Sequence, residues 1–248
     1  MFSDRLVSRL RNASVVTAFI GAGISAESGV PTFRGDEGLW KKFKPQELAN
    51  FDAFIRNPDL VWAWYKQRRQ VISSIQPNSG HYALAQMQNH HQQFSVITQN
   101  IDNLHQRAGS KIVHELHGNI ERNYCIDCGK FFTNEKILQE DQIPRCTSCH
   151  GLIRPDVVWF GELLPEEAWN ASVAIAERAD VFFSIGTSAE VYPAASLPMI
   201  AKQFGGYLVE VNTEPTELSR KADEVILGKS GEILPRLLEA CYQVTIDH

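Results

Sequence analysis

Long hydrophobic runs are absent from this 248-residue chain, and no stretch is apolar for the ~20 residues a helix needs to cross a bilayer. The sequence therefore predicts a protein that spans no membrane. A surplus of basic charge is also lacking. Lysine and arginine number 24 against 29 aspartates and glutamates, and the net charge of -5 argues against nucleic acid as the main partner. Met1 to Ser14 has no apolar core of the kind a secretion signal carries, and a β-branched run follows at once. That leaves no room for a removable leader, so a cytoplasmic location is expected. There is no internal repeat and no low-complexity tract. Cysteine is scarce: five residues, four of them in two C-x-x-C pairs, suggest metal ligation in a reducing compartment rather than a disulfide framework. The fifth, Cys241, lies in an apolar tail and is expected to be a buried small side chain.

What is present is an apolar fraction of 44%, enough for a sizeable core. Short β-branched and aromatic runs predict strands over 15–20, 94–98, 181–185, 207–211 and 224–227. Several read apolar on both faces, as strands of a parallel sheet covered by helices should. Helical stretches at 165–177 and 194–204 lie between them. The alternation predicts an α/β fold, a Rossmann-like doubly wound parallel sheet. Two segments break the alternation. Residues 37–76 read as helical, with Trp40, Phe43, Phe51, Phe54, Trp62 and Trp64, and residues 121–152 carry the paired cysteines. Both are expected to be insertions that pack together as a smaller zinc-binding domain. Residues 1–36, 77–120 and 153–248 remain for the sheet domain.

Cys125-x-x-Cys128 and Cys146-x-x-Cys149 are separated by seventeen residues. Each turn presents two thiolates, and two such turns close a tetrahedron around one zinc ion. With all four positions filled by cysteine no site is open to water, so the zinc is expected to be structural. A thioredoxin-like redox site is the competing reading, but it needs only one pair. A nucleic-acid-binding ribbon fits poorly, because Asp127, Glu135, Glu140 and Asp141 offset the few basic residues nearby.

The first predicted strand runs into Gly21-Ala22-Gly23-Ile24-Ser25-Ala26, a G-x-G-x-x-A turn in the strand-to-turn context of pyrophosphate binding. Gly21 permits the tight turn and Gly23 a close backbone approach; a plain glycine turn is the alternative. A hydride-transferring domain would continue with a full helix and an acidic ribose ligand about twenty residues on. Here Ser28-Gly29-Val30-Pro31 interrupts any helix, which disfavours a dehydrogenase. Gln99, Asn100 and Asp102 follow a second strand, and Gly186-Thr187-Ser188 and Asn212 end two more. Singly these read as loop-makers. Together they fall on one edge of the predicted sheet, where open α/β sheets bind ligands.

At this point the chain resembles the sirtuins, the NAD-dependent protein lysine deacylases. The resemblance rests on Gly21 to Ser25 with Gly29 to Arg34, on Thr98 to Asp102 with Leu104-His105, and on Leu116-His117-Gly118. Val157 to Glu162, Gly186-Thr187-Ser188 and Val209 to Asn212 complete it in family order, over nearly the whole chain. The resemblance implies that NAD is a consumed co-substrate held by Gly21, Ala22, Gly23, Ser25, Phe33, Arg34, Gln99, Asn100, Ile101, Asp102, Gly186, Thr187, Ser188, Asn212 and Ser230. It makes Asn100 and His117 catalytic. In the family the acyl oxygen attacks C1′ of the nicotinamide ribose, nicotinamide leaves, and the histidine acts as base on a ribose hydroxyl. An imidazole that titrates near neutrality suits that task. Of the chain's eight histidines, His90, His91, His114 and His150 are read as structural. Val158, Phe160, Gly161 and Glu162 would form the edge that pairs with an acyl-lysine peptide. Phe33 and Arg34 would lie on a loop over the cofactor. Mono-ADP-ribosyl transfer is the alternative activity, and an NAD- or zinc-dependent binding module the non-enzymatic one.

One further pair bears on the acyl group. Tyr65 and Arg68 stand three apart in a helical stretch and so point to one face, while Arg69 turns away. A phenol beside a guanidinium suits a short-chain carboxylate. The pair resembles the mark of the sirtuin subgroup that removes succinyl and malonyl as well as acetyl groups. The other reading is a solvated basic helix face, with Lys66 and Arg69 alongside. Pro45 stands where that subgroup has a small alanine, which leaves the depth of the pocket open.

Overall fold

A computed structural model of the protein describes residues 2–31, 48–137 and 143–246. The main sheet has six parallel strands: β1 (Val15–Ile20), β2 (Gln93–Thr98), β3 (Val113–Glu115), and later β7 (Val181–Ile185), β8 (Tyr207–Asn212) and β9 (Glu224–Leu227). Between the two groups lies a three-stranded antiparallel sheet of β4 (Gly118–Cys125), β5 (Phe131–Thr133) and β6 (Ile153–Val157). The main sheet runs in the order β3-β2-β1-β7-β8-β9, so successive strands step outward to one side of β1 and then to the other. That reversal between β1 and β7 is the topological switch point of a doubly wound sheet, the place where such folds bind ligands.

The helices follow from the faces they cover. Among the described residues they are, in chain order, α1 (Asp4–Asn12), α2 (Ala22–Ala26), α3 (Phe51–Arg56), α4 (Pro58–Ser74), α5 (Ser79–Met87), α6 (Leu104–Arg107), α7 (Asn134–Ile137), α8 (Glu166–Ala176), α9 (Leu197–Gln203) and α10 (Ser230–Tyr242). Val16, Ala18 and Ile20 of β1 join Leu6, Leu84 and Leu237 in a core under α1, α5 and α10. Phe19, on the opposite face of the same strand, packs with Ala176 and Leu197 under α8 and α9. Burial on both faces is why these strands read as unbroken apolar runs.

A third apolar cluster joins α3 and α4 to the small sheet, through Phe54, Trp62, Trp64, Tyr65, Ile120, Ile153 and Trp159. The small sheet extends from Gly118 to Val157, beyond the 121–152 insertion expected from sequence. The stretch expected to be one helix at 194–204 begins as a 3₁₀ turn at 194–196 and becomes α9 only at Leu197, with Pro198 in its first turn. β3 was not legible: its three residues are all half-buried, and two of them, His114 and Glu115, are polar. Trp40 and Phe43 lie outside the described residues.

Candidate active site

The glycine turn sits against β7, and its glycines serve a purpose the motif alone does not reveal. Gly21 N–H donates to the Ile185 carbonyl at 2.9 Å, and Gly23 N–H to the Gly186 carbonyl at 2.8 Å. A Cβ on Gly21 would lie 2.5 Å from Thr187 Cβ, and one on Gly23 would lie 2.7 Å from Gly186 Cα. Gly186 itself has φ +59°, and a Cβ there would meet the Ile24 amide at 2.7 Å. The three glycines therefore let two strand-end turns touch backbone to backbone at the switch point. Gly186→Ala should force the turns apart and destabilise the protein by about 1–3 kcal/mol, as overpacking does. A thermal unfolding midpoint equal to wild type would refute this.

Around that contact the polar residues form one connected cluster. The Asn100 amide donates to the Gly21 carbonyl and to Ser25 Oγ, each at 3.0 Å. Gln99 Nε2 donates to Thr187 Oγ1 at 3.0 Å, and Asn212 Nδ2 to the Thr187 carbonyl at 3.1 Å. Asp102 is buried and accepts the Leu104 N–H at 3.0 Å. Burial pushes its carboxyl pKa up, against opposing pulls from Ser25 and Arg68. A pocket opens here, lined by the polar residues Ser25, Asn100, Asp102 and Arg68 and by the apolar residues Ala22, Val30, Pro31 and Ile101. Such a lining suits a ligand with both hydroxyl and ring character. Ser188 is exposed. Ser230 stands at the start of α10, where its hydroxyl donates to Glu27 Oε1 at 2.7 Å. Glu27 also accepts the Gly231 N–H at 3.1 Å, a tie between α10 and the glycine turn that no sequence pattern announced.

His117 lies just before β4, and its Nδ1 is 2.9 Å from the Gln99 carbonyl oxygen. A carbonyl only accepts, so Nδ1 carries the proton and Nε2 keeps its lone pair. Burial pulls the imidazole pKa below 6.5, and the bond to Gln99 partly offsets this, so the ring is neutral at pH 7. Gly118, with φ +77°, passes so close to Asp156 that a Cβ would lie 2.1 Å from that residue's carbonyl oxygen. The glycine that marks the short histidine motif is thus a point of close approach between β4 and β6 of the small sheet.

The helix α4 buries both Tyr65 and Arg68, and Arg69 as well. Arg68 and Arg69 are 8% and 5% exposed, which excludes the solvated basic face. Arg68 stacks over Trp64 and borders the pocket beside Asp102. Arg69 turns away, as helical geometry requires, and donates to the Ile120 carbonyl at 2.7 Å. Tyr65 accepts the Trp159 indole N–H at 2.8 Å.

β6 ends at Val157, and the segment 158–162 expected to carry the peptide follows it. Val158 N–H donates to the His117 carbonyl and Phe160 N–H to the Ala49 carbonyl, each at 2.9 Å, and the chain turns at 160–161. Phe160 is exposed and Gly161 adopts φ +89°. Glu162 is taken up by buried Arg154 and by the Trp159 N–H, so its carboxylate shapes the turn. Phe33, Arg34 and Pro45 lie outside the described residues.

At the far end of the small sheet the sulfurs of Cys125, Cys128, Cys146 and Cys149 all lie within 4.8 Å of one another. The short contacts, 3.4 Å for Cys125 to Cys149 and 3.6 Å for Cys128 to Cys146, run between the C-x-x-C turns rather than within them. A redox dithiol would pair within one turn. A zinc tetrahedron with Zn–S bonds of about 2.3 Å has edges of about 3.8 Å, and these four thiols fit it. They could hold a structural zinc.

No described helix is long and apolar enough to cross a membrane. The Sir2 family profile matches residues 21–193 of the chain. The NAD-dependent protein deacylase 2 of Pyrobaculum aerophilum is 55% identical over 221 residues, covering 89% of this chain and 88% of that protein. A solved structure of a mutant Sir2 homologue in complex with ADP-ribose is similar at a TM-score of 0.94 and 42% identity, covering 98% of this chain and 97% of that one. A Sir2 structure with a p53 peptide and NAD+ matches at a TM-score of 0.88 and 37% identity, covering 96% of this chain and 98% of that one.

Proposed function

We propose that this chain, which belongs to the Sir2 family and is an NAD-dependent protein deacylase, removes succinyl and malonyl as well as acetyl groups from lysine. The acyl group would leave on ADP-ribose, with nicotinamide and free lysine as the other products. We also propose a cytoplasmic location, where the cysteine thiols stay reduced and available to a metal.

The observation that carries the wider acyl range is the buried guanidinium of Arg68 on the wall of the pocket that holds Asn100 and Asp102. That guanidinium lies within electrostatic reach of Asp102, and a distal carboxylate entering the pocket would meet the same positive charge. NAD, when bound, supplies the glycosidic bond that breaks and the ribose that takes the acyl group. Asn100, Asp102 and Ser25 would orient the nicotinamide side. Thr187, Ser188, Asn212 and Ser230 would hold the phosphates and adenosine, with Gln99 steadying the first ribose. Phe33 and Arg34 would cover the reacting carbon. His117 would take a proton from a ribose hydroxyl at Nε2 while Nδ1 stays tied to Gln99. Val158, Phe160 and Gly161 would carry the peptide backbone, with Glu162 holding their turn.

The test is a side-by-side assay of acetyl- and succinyl-lysine peptides, with and without NAD. Acyl-ADP-ribose as product supports deacylation, whereas mass added to the protein would mark ADP-ribosyl transfer. Arg68→Met should lower kcat/KM for the succinyl peptide by about 10–100-fold, the scale of a lost charge-assisted contact, and affect the acetyl peptide only a few-fold. Equal losses on both peptides would remove Arg68 from the acid-binding role.

A further inference from the structure

The Tyr65 hydroxyl has one proton to give and lone pairs to receive with, and its surroundings leave little choice between them. Tyr65 is 2% exposed. Its oxygen already accepts the Trp159 indole N–H at 2.8 Å. The nearby guanidinium of Arg68 offers only donors, so it does not take up the hydroxyl proton, which is left for an acceptor oxygen brought by a ligand beside Arg68. Burial pushes the phenol pKa up to about 12, so that proton stays in place at working pH.

Trp159 itself is held from three sides. The Arg154 guanidinium carbon sits 3.4 Å from the indole ring centroid, and Phe54 packs against the ring at 5.3 Å. Arg154 grips Glu162 with both Nη atoms and donates to the Val157 carbonyl at 2.7 Å. Glu162 Oε2 in turn accepts the Trp159 backbone N–H at 2.7 Å. The same clamp therefore fixes the turn expected to carry the peptide and the indole that faces Tyr65. A phenylalanine would keep an aromatic ring between Arg154 and Phe54, though a weaker partner for the guanidinium. Only the bond to Tyr65 needs the indole nitrogen.

We propose that Trp159 is a positioning residue for acyl specificity: its indole N–H commits the Tyr65 hydroxyl to donating, and so favours acyl chains that present an acceptor oxygen at their far end. This rests on the reading of Tyr65 and Arg68 as the acyl-acid site. The test compares wild type, Trp159→Phe, Tyr65→Phe and the double variant on acetyl- and succinyl-lysine peptides. Trp159→Phe should lower kcat/KM for the succinyl peptide about tenfold more than for the acetyl peptide, mostly through KM. The double variant should show the same succinyl-to-acetyl ratio as Tyr65→Phe alone, because both remove one interaction. Equal losses on the two peptides, or effects on the ratio that multiply, would overturn the role of Trp159 and leave the acid site standing. Wild-type enzyme that cannot desuccinylate would overturn the acid site, and this inference with it. A second measurement does not depend on turnover. In Tyr65→Phe the Trp159 indole proton should shift in the NMR spectrum and lose its protection from exchange; an unchanged resonance would overturn the bond itself.

Discussion

Replacing His117 with alanine is expected to lower kcat/KM for deacylation by about 10²–10⁴-fold, the range over which a positioned general base contributes. The fold should survive, because the imidazole's bond goes to the Gln99 carbonyl, while Gly118, not the imidazole, makes the close approach of β4 to β6. The wild-type pH profile should carry the same signature. As the proposed base, His117 would act only when neutral, so kcat/KM should be flat near pH 7 and fall with a slope of one as the ring protonates. Burial lowers its pKa, so the midpoint should lie below 6.5. The sign is fixed by the role: a residue needed protonated would give a fall on the alkaline side instead. Asp102, whose carboxyl is pushed up by burial, can add a second acid limb. The limb that vanishes in His117→Ala is the one that belongs to the imidazole. The proposed proton abstraction follows nicotinamide loss, so exchange of labelled nicotinamide should suffer less than deacylation. Matched losses in exchange and deacylation would place His117 at an earlier step, and a loss under tenfold would end its candidacy as base.

Much of this site was legible before the fold was known, though partly for reasons other than those the motifs suggest. Strands such as β1 and β7 are buried on both faces, and a wholly apolar run is the plainest pattern a sequence can carry. The strand-end residues Gln99, Asn100, Thr187 and Asn212 could be gathered on one edge because parallel strands end on the same side. Gly21 and Gly23 read as room for phosphate; in the fold they first make room for Gly186 and Thr187. What stayed hidden was pairing across distance. The bond from Trp159 to Tyr65 joins residues 94 apart, and Arg154 reaches Glu162 only because the chain turns after Val157. The small sheet was hidden for a different reason. β4 contains Asn119, Glu121, Arg122 and Asn123, whose partners are side chains, so it shows no hydrophobic period.

Cys125→Ser, or removal of the metal by a strong chelator, should cost both stability and activity. Cys125 and Cys146 are buried in the same cluster as Trp62, Tyr65, Ile153 and Trp159, so the thiol site is continuous with the packing of the small sheet. In zinc-finger peptides metal binding contributes roughly 10–16 kcal/mol to folding. Loss of only about 5 kcal/mol would lower the unfolding midpoint of a chain this size by about 10–20 °C. Activity should fall with it by a route that the fold makes explicit. Cys125 ends β4, β4 pairs with β6, and β4 begins at Gly118, next to His117. The turn after β6 then binds the His117 carbonyl through Val158. Loosening the thiol end therefore loosens the strand next to the proposed base and the turn proposed to hold the peptide. The six-stranded sheet has its own cores and should persist, so circular dichroism should retain most of its helical signal while deacylation is lost. Elemental analysis of the native protein should find one zinc per chain, and adding zinc back to the chelated wild type should restore the rate. A metal-free protein with native stability and full activity would show that the four thiols are not a metal brace. Reversible loss of two thiols on mild oxidation, with zinc never bound, would revive the redox reading.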